Sequence, residues 1–92
     1  MNIEDTLKPG DIIRFHNWFV GGFLFGVIKK SEIDTNKLEI WRKKRTFCLQ
    51  DVDAITIIKT IDDIQNYEKY AFNQFIQDMK SCNMTYYFSN EK

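Results

Sequence analysis

The sequence is poor in almost every residue type that announces a chemistry. It holds one histidine, one proline, four glycines and two cysteines among 92 residues, and its formal net charge is zero. With His16 alone, no histidine cluster exists, and any His-based mechanism would rest on that one residue. Cys48 and Cys82 are distant and sit in neither CxxC nor Cys/His spacing. That reads as two reduced thiols, not as a disulfide framework or a zinc site. Gly21-Gly22 is not followed by a helix, so no glycine-rich loop has phosphate-cradling spacing. The longest low-charge stretch, residues 15–28, contains His16, Asn17 and three glycines and is too short to span a bilayer. The start, Met1-Asn2-Ile3-Glu4-Asp5, is acidic and lacks the apolar segment of a secretory leader. These absences lead us to expect no enzyme, no metal, no cofactor and no membrane contact, and a cytoplasmic location.

Large apolar side chains are abundant. Hydrophobic residues make up 43% of the chain, with eight Phe, four Tyr and two Trp, enough for the core of one domain spanning residues 1–92. Low glycine and proline with abundant Ile, Lys and Asn fit an AT-rich coding source, such as a low-GC bacterium or its phage.

Residues 9–60 read as short strands. Pro9-Gly10 is a turn, and residues 11–15 alternate, with Asp11, Ile13 and Phe15 on one face. Residues 16–22 read as a loop and 23–30 as a second strand, in which Gly26 marks a bend or bulge. After a turn at 31–36, residues 37–43 form a third strand with Leu38 and Ile40 inward and Trp41 outward. A turn near Lys43-Lys44 leads to a fourth strand at 45–50, or, since no glycine marks that turn, the segment forms a single long bent hairpin. Asp51-Val52-Asp53 reads as a single 3₁₀ turn whose carboxylates satisfy backbone N–H groups, and 54–60 is the fifth strand. A helix over 62–82 follows, capped by Asp62 or Asp63, with Ile64, Tyr67, Ala71, Phe75 and Met79 as its apolar stripe and Phe72 and Ile76 widening it. That stripe serves as core or, alternatively, as a homodimer seam. Residues 83–92 form a tail whose aromatic part, 84–88, makes a short strand or packs irregularly and whose end frays.

Five short strands with a one-turn break before the last resemble the SH3-like small β-barrel plan shared by Tudor, KOW and Sm-type modules. The resemblance covers residues 9–59 and carries no functional residue with it. It implies an α+β fold: an antiparallel SH3-like barrel of about five strands followed by one C-terminal amphipathic helix.

Two segments stand out as candidate sites. Trp41-Arg42-Lys43-Lys44-Arg45-Thr46-Phe47 packs four consecutive cations between aromatics, while the rest of the chain is slightly acidic. Cations neutralise phosphates and a neighbouring aromatic stacks on a base. Trp41, Arg42, Lys43, Lys44 and Arg45 are therefore the expected contacts to nucleic acid or an acidic protein surface, and the first expected function is a binding module for nucleic acid or a nucleic-acid-processing protein. Zero net charge weighs against a histone-like binder. The second segment, Phe15-His16-Asn17-Trp18-Phe19-Val20, has more aromatics than a surface loop needs. Trp18 and Phe19 are the expected protein contacts of the alternative function, a phage- or plasmid-borne inhibitor or adaptor acting on a host protein.

Overall fold

The computed structural model describes residues 3–88. A 3₁₀ turn at Ile3–Thr6 precedes five strands: β1 (Ile12–Asn17), β2 (Gly22–Lys30), β3 (Leu38–Arg42), β4 (Arg45–Cys48) and β5 (Val52–Ile58). One α-helix, α1 (Lys69–Ser81), follows. The strands form one antiparallel sheet in the order β4-β3-β2-β1-β5. The result is an α+β fold, a five-stranded antiparallel sheet followed by a C-terminal helix.

The sheet is curled but not closed, which corrects the expectation of a barrel. Four ladders form, and β4 and β5 share none. The reason is local: β4 is four residues long, and the chain leaves it directly into the 3₁₀ turn Leu49–Asp51. Curling still buries the concave face. Leu7, Ile13, Phe15, Ile28, Ile40 and Val52 meet there, with Phe47, Leu49, Ile55 and Ile57 packed around them. The break before the last strand thus falls two residues earlier than the sequence suggested.

The convex face is buried as well. Phe72, Phe75, Ile76 and Met79, at helical i, i+3, i+4 and i+7 spacing, lay α1 across Ile12, Phe25, Val27, Trp41 and Ile58. The apolar stripe is therefore occupied by the protein's own sheet. Both faces being covered explains why Phe25–Ile28 is buried without alternation. It also explains the largest misreading of a side chain. Trp41 does point away from Ile40, as alternation requires, but α1 covers that face, and Trp41 is 7% exposed with its ring against Phe75.

The helix starts later than expected. Asp63 does accept hydrogen bonds, from the N–H groups of Lys59 and Thr60 at 2.9 and 3.1 Å, but it caps a 3₁₀ turn at Ile61–Asp63. Ile64 and Gln65 are extended and a second 3₁₀ turn at Asn66–Glu68 follows, so α1 begins only at Lys69. Ile64 is core, while Tyr67 and Ala71 are exposed, contrary to their assignment to the stripe. Beyond α1, Tyr87 forms a single parallel bridge to Asp11, donating its N–H to Gly10 O at 2.7 Å. The expected fraying of residues 90–92 lies outside the described residues.

Gly26 sits in β2 where the neighbouring side chains leave no room for one of its own. A Cβ there would lie 2.9 Å from Phe15 Cε1 and would collide with Ile40 Cγ2. Gly26→Ala should therefore cost about 1–3 kcal/mol in urea unfolding by overpacking, and Phe72→Ala should cost about 3–5 kcal/mol by opening a cavity under α1. The hydrogen bonds from Lys59 and Thr60 hold the Asp63 carboxyl below its ordinary range. Its contribution is complete above the ordinary carboxylate value and is lost as pH falls towards the depressed one. Asp63→Ala should thus flatten the acid limb of the stability profile; an unchanged acid limb would contradict that assignment.

Candidate functional site

The turn between β1 and β2 is built on Asn17. This residue is 2% exposed, and its Oδ1 accepts the N–H groups of Phe19 and Val20 at 3.1 and 3.0 Å. Gly21, at φ +71°, closes the turn by donating to Asn17 O at 2.9 Å. A side-chain carbonyl that mimics a backbone acceptor is the usual way an Asn stabilises a tight turn. The expected loop at 16–22 is therefore only four residues, 18–21, with His16 inside β1.

What this turn presents is apolar. Trp18, Phe19 and Val20 are 66%, 92% and 60% exposed, and Phe23 beside them is 46% exposed. The base of the patch is polar and ordered. The His16 ring packs edge-on against both Trp18 and Phe23, with centroids 6.1 and 5.6 Å away. His16 Nδ1 lies 2.9 Å from Asp53 Oδ1, so the Nδ1–H tautomer donates to the carboxylate. Asp53 reaches this position because β5 carries a bulge: the β1–β5 register shifts between Arg14 and His16, and Ala54 takes φ +51°. The Arg14 guanidinium stacks 3.8 Å above the Phe23 ring, and its Nε–H is shared between the two Glu68 carboxylate oxygens, Oε2 at 2.9 Å and Oε1 at 3.2 Å.

The basic hairpin is arranged differently from its reading in sequence. Trp41 is core and offers no face for a base, so the stacking platform is absent from this site. Arg42 is half-buried and donates from Nη1 to Phe25 O at 3.2 Å. Burial lowers its pKa, and the negative charge of Asp78 partly offsets that; it stays charged at neutral pH. Lys43, Lys44 and Arg45 are exposed, and among the described residues none of them forms an ion pair. Lys43 and Lys44 both hold positive φ, 50° and 64°, as a two-residue hairpin turn of the mirror-image type demands. Arg42 and Arg45 face each other across the ladder, an unfavourable like-charge pair. A cleft of about 470 Å³ beside the turn brings Lys43 and Lys44 near Asp78, Ser81 and Cys82 at the end of α1, where cations complement the helix dipole.

The two turns lie at the same end of the sheet, since both close alternate hairpins of one antiparallel meander. A groove of about 350 Å³ runs between them, lined by Arg14, Phe23, Phe25, Arg42, Tyr67 and Glu68 among others. The structure thus joins Trp18 and Phe19 into a patch with Val20 and Phe23, and leaves Lys43, Lys44 and Arg45 as a separate charged rim. Sequence reasoning missed Phe23 and Tyr67. Phe23 looked like one apolar residue in an apolar strand, and Tyr67 matched the helical stripe.

No family model, curated protein or solved structure matches this chain. Among the described residues, no group of three metal-ligating side chains gathers, and no helix is long and apolar enough to cross a membrane.

Two substitutions separate these surfaces from the fold. Lys43→Asn with Lys44→Gly places the preferred residues at the two positive-φ positions and should raise stability by about 1–2 kcal/mol in urea unfolding. Trp18→Ala should change stability by less than about 1 kcal/mol, and the Trp18 fluorescence should be red-shifted and freely quenched by iodide, unlike that of Trp41. A blue-shifted, protected Trp18 would contradict the exposure described above.

Proposed function

We propose that this protein is a non-enzymatic binding module that docks onto another protein through the apolar tip of its β1–β2 hairpin. The observation that carries this reading is the exposure of Trp18, Phe19 and Val20 on a turn pinned by the buried Asn17. Isolated surface apolar residues need no explanation, but three in succession beside Phe23 form a contiguous patch. Aromatic anchors dominate interface energetics, and a turn fixed before binding avoids the entropic cost of ordering it on contact. An inhibitor or adaptor acting on a host protein, in the cytoplasm of a bacterium or its phage, fits such a surface.

The cationic hairpin supports a second reading, contact with nucleic acid. Two lysines at positive φ and two arginines facing each other are costly features, and among the described residues none of the four closes an ion pair, although Asp78 lies nearby. Without Trp41 as a stacking surface, such contact is limited to phosphate and should be insensitive to sequence.

Placing a photo-crosslinking benzoyl-phenylalanine at position 19, in the cell of origin, tests the first reading. The control carries the same group at Ile33, which is 98% exposed in another loop. A discrete protein adduct is expected from position 19 and not from position 33, and it should disappear with Trp18→Ala. Identical adduct patterns at the two positions would overturn the reading. For the second, Lys43→Glu with Lys44→Glu should abolish binding to RNA and DNA, and each lost phosphate contact should lower the slope of log affinity on log salt by about one. No mobility shift of the wild-type protein at low salt would remove it.

A further inference from the structure

β2 is longer than the strand beside it. β1 pairs with residues 22–27 of β2, while β3 pairs only with residues 27–30, so among the described residues no strand lies against the β3 side of residues 22–26. Backbone groups in a strand alternate sides. The Phe25 carbonyl points to the vacant side, since Arg42 Nη1 occupies it as a side-chain substitute for a strand. By the same alternation, the N–H and C=O of Phe23 face that side. An unpaired length of strand is a template for another chain.

The surroundings of this length of strand define what would pair with it. The groove along it is walled by Phe23 and Tyr67 and bordered by Arg42. Where β3 leaves the β2 ladder, at the Val27–Trp41 pair, the chain turns at once through Lys43 and Lys44 to Arg45, all three exposed, so the vacant length of β2 ends against this cationic turn. Two acids lie nearby, Glu68 bonded to Arg14 and Asp78 on α1 beside Arg42, Lys43 and Lys44, and the cations outnumber them. The local field is therefore positive beside an apolar wall.

Resting on the protein-docking reading above, we infer that the partner supplies an extended, acidic peptide segment that adds to the vacant side of β2. Its main chain pairs with Phe23, its apolar side chains lie on Phe23 and Tyr67, and its carboxylates meet Arg42, Lys43, Lys44 and Arg45. Strand addition gives affinity through main-chain bonds and specificity through the flanking side chains. Charge complementarity speeds encounter and rejects basic segments.

The test is selection from a library of random linear peptides displayed on phage, followed by hydrogen exchange on the full chain. Enriched peptides should be acidic with alternating apolar residues, and binding should slow exchange of the Phe23 amide by about tenfold or more. Lys43→Asn with Lys44→Gly removes two charges while relieving the turn, and should weaken the selected peptides by about tenfold or more; Arg45→Gln offers a second, independent loss of charge. Enrichment of neutral or basic peptides, no enrichment, or acidic peptides that leave Phe23 exchange unchanged would overturn the inference. Single-stranded DNA that binds the same surface more tightly than the peptides would make nucleic acid its occupant and overturn it too. A position-19 adduct obtained alongside any of these failures leaves the docking tip standing and removes only the strand addition.

Discussion

The contact between α1 and the convex face of the sheet governs the rest of this structure. Phe72, Phe75, Ile76 and Met79 bury Ile12, Phe25, Val27, Trp41 and Ile58, so a five-stranded sheet that fails to close has a core on each side. Full burial of each large side chain contributes about 1.5–3 kcal/mol, which makes this helix the element that completes the domain. It also decides which surfaces remain. With the convex face covered and the concave face packed, the exposed apolar residues that lie together are Trp18, Phe19, Val20 and Phe23, on and beside the β1–β2 turn, while Ile33 is exposed in a different loop.

That end combines three physical arrangements. Asn17 fixes the turn, His16 and Arg14 hold the rings of Trp18 and Phe23 from beneath, and the β3–β4 turn lifts three unpaired cations alongside. Each carries a cost: exposed aromatic area, a buried Asn whose carbonyl must be satisfied, and lysines in a left-handed turn. Costs gathered at one end of a small domain, while the rest is well packed, are the pattern of a binding surface.

Much of this was legible in the sequence because local rules decide it. The alternation of Ile13 and Phe15 and the stripe of Phe72, Phe75, Ile76 and Met79 follow from period alone, whereas the turn at Lys43-Lys44 carries no glycine and leaves a single long bent hairpin open as well. Trp41 shows where such rules stop. Alternation assigns a residue to one of two faces, but only the docking of α1 says that both faces are covered. The helix start is a similar case. Asp62-Asp63 has the composition of a cap, and Asp63 does cap, but the extended Ile64 and Gln65 reflect the path the chain must take to bring α1 onto the sheet. Closure of the barrel depended on β4 reaching β5, a long-range matter that four residues of strand do not reveal.

The central claim is that the aromatic tip is presented rigidly, held by Asn17 before any partner arrives. Backbone ¹⁵N relaxation of the free protein measures this directly. The amides of Phe19 and Val20 should have order parameters close to those of the strands, about 0.85. Values below about 0.6 at these two amides, with rigid strands on either side, would show a mobile loop and contradict the account.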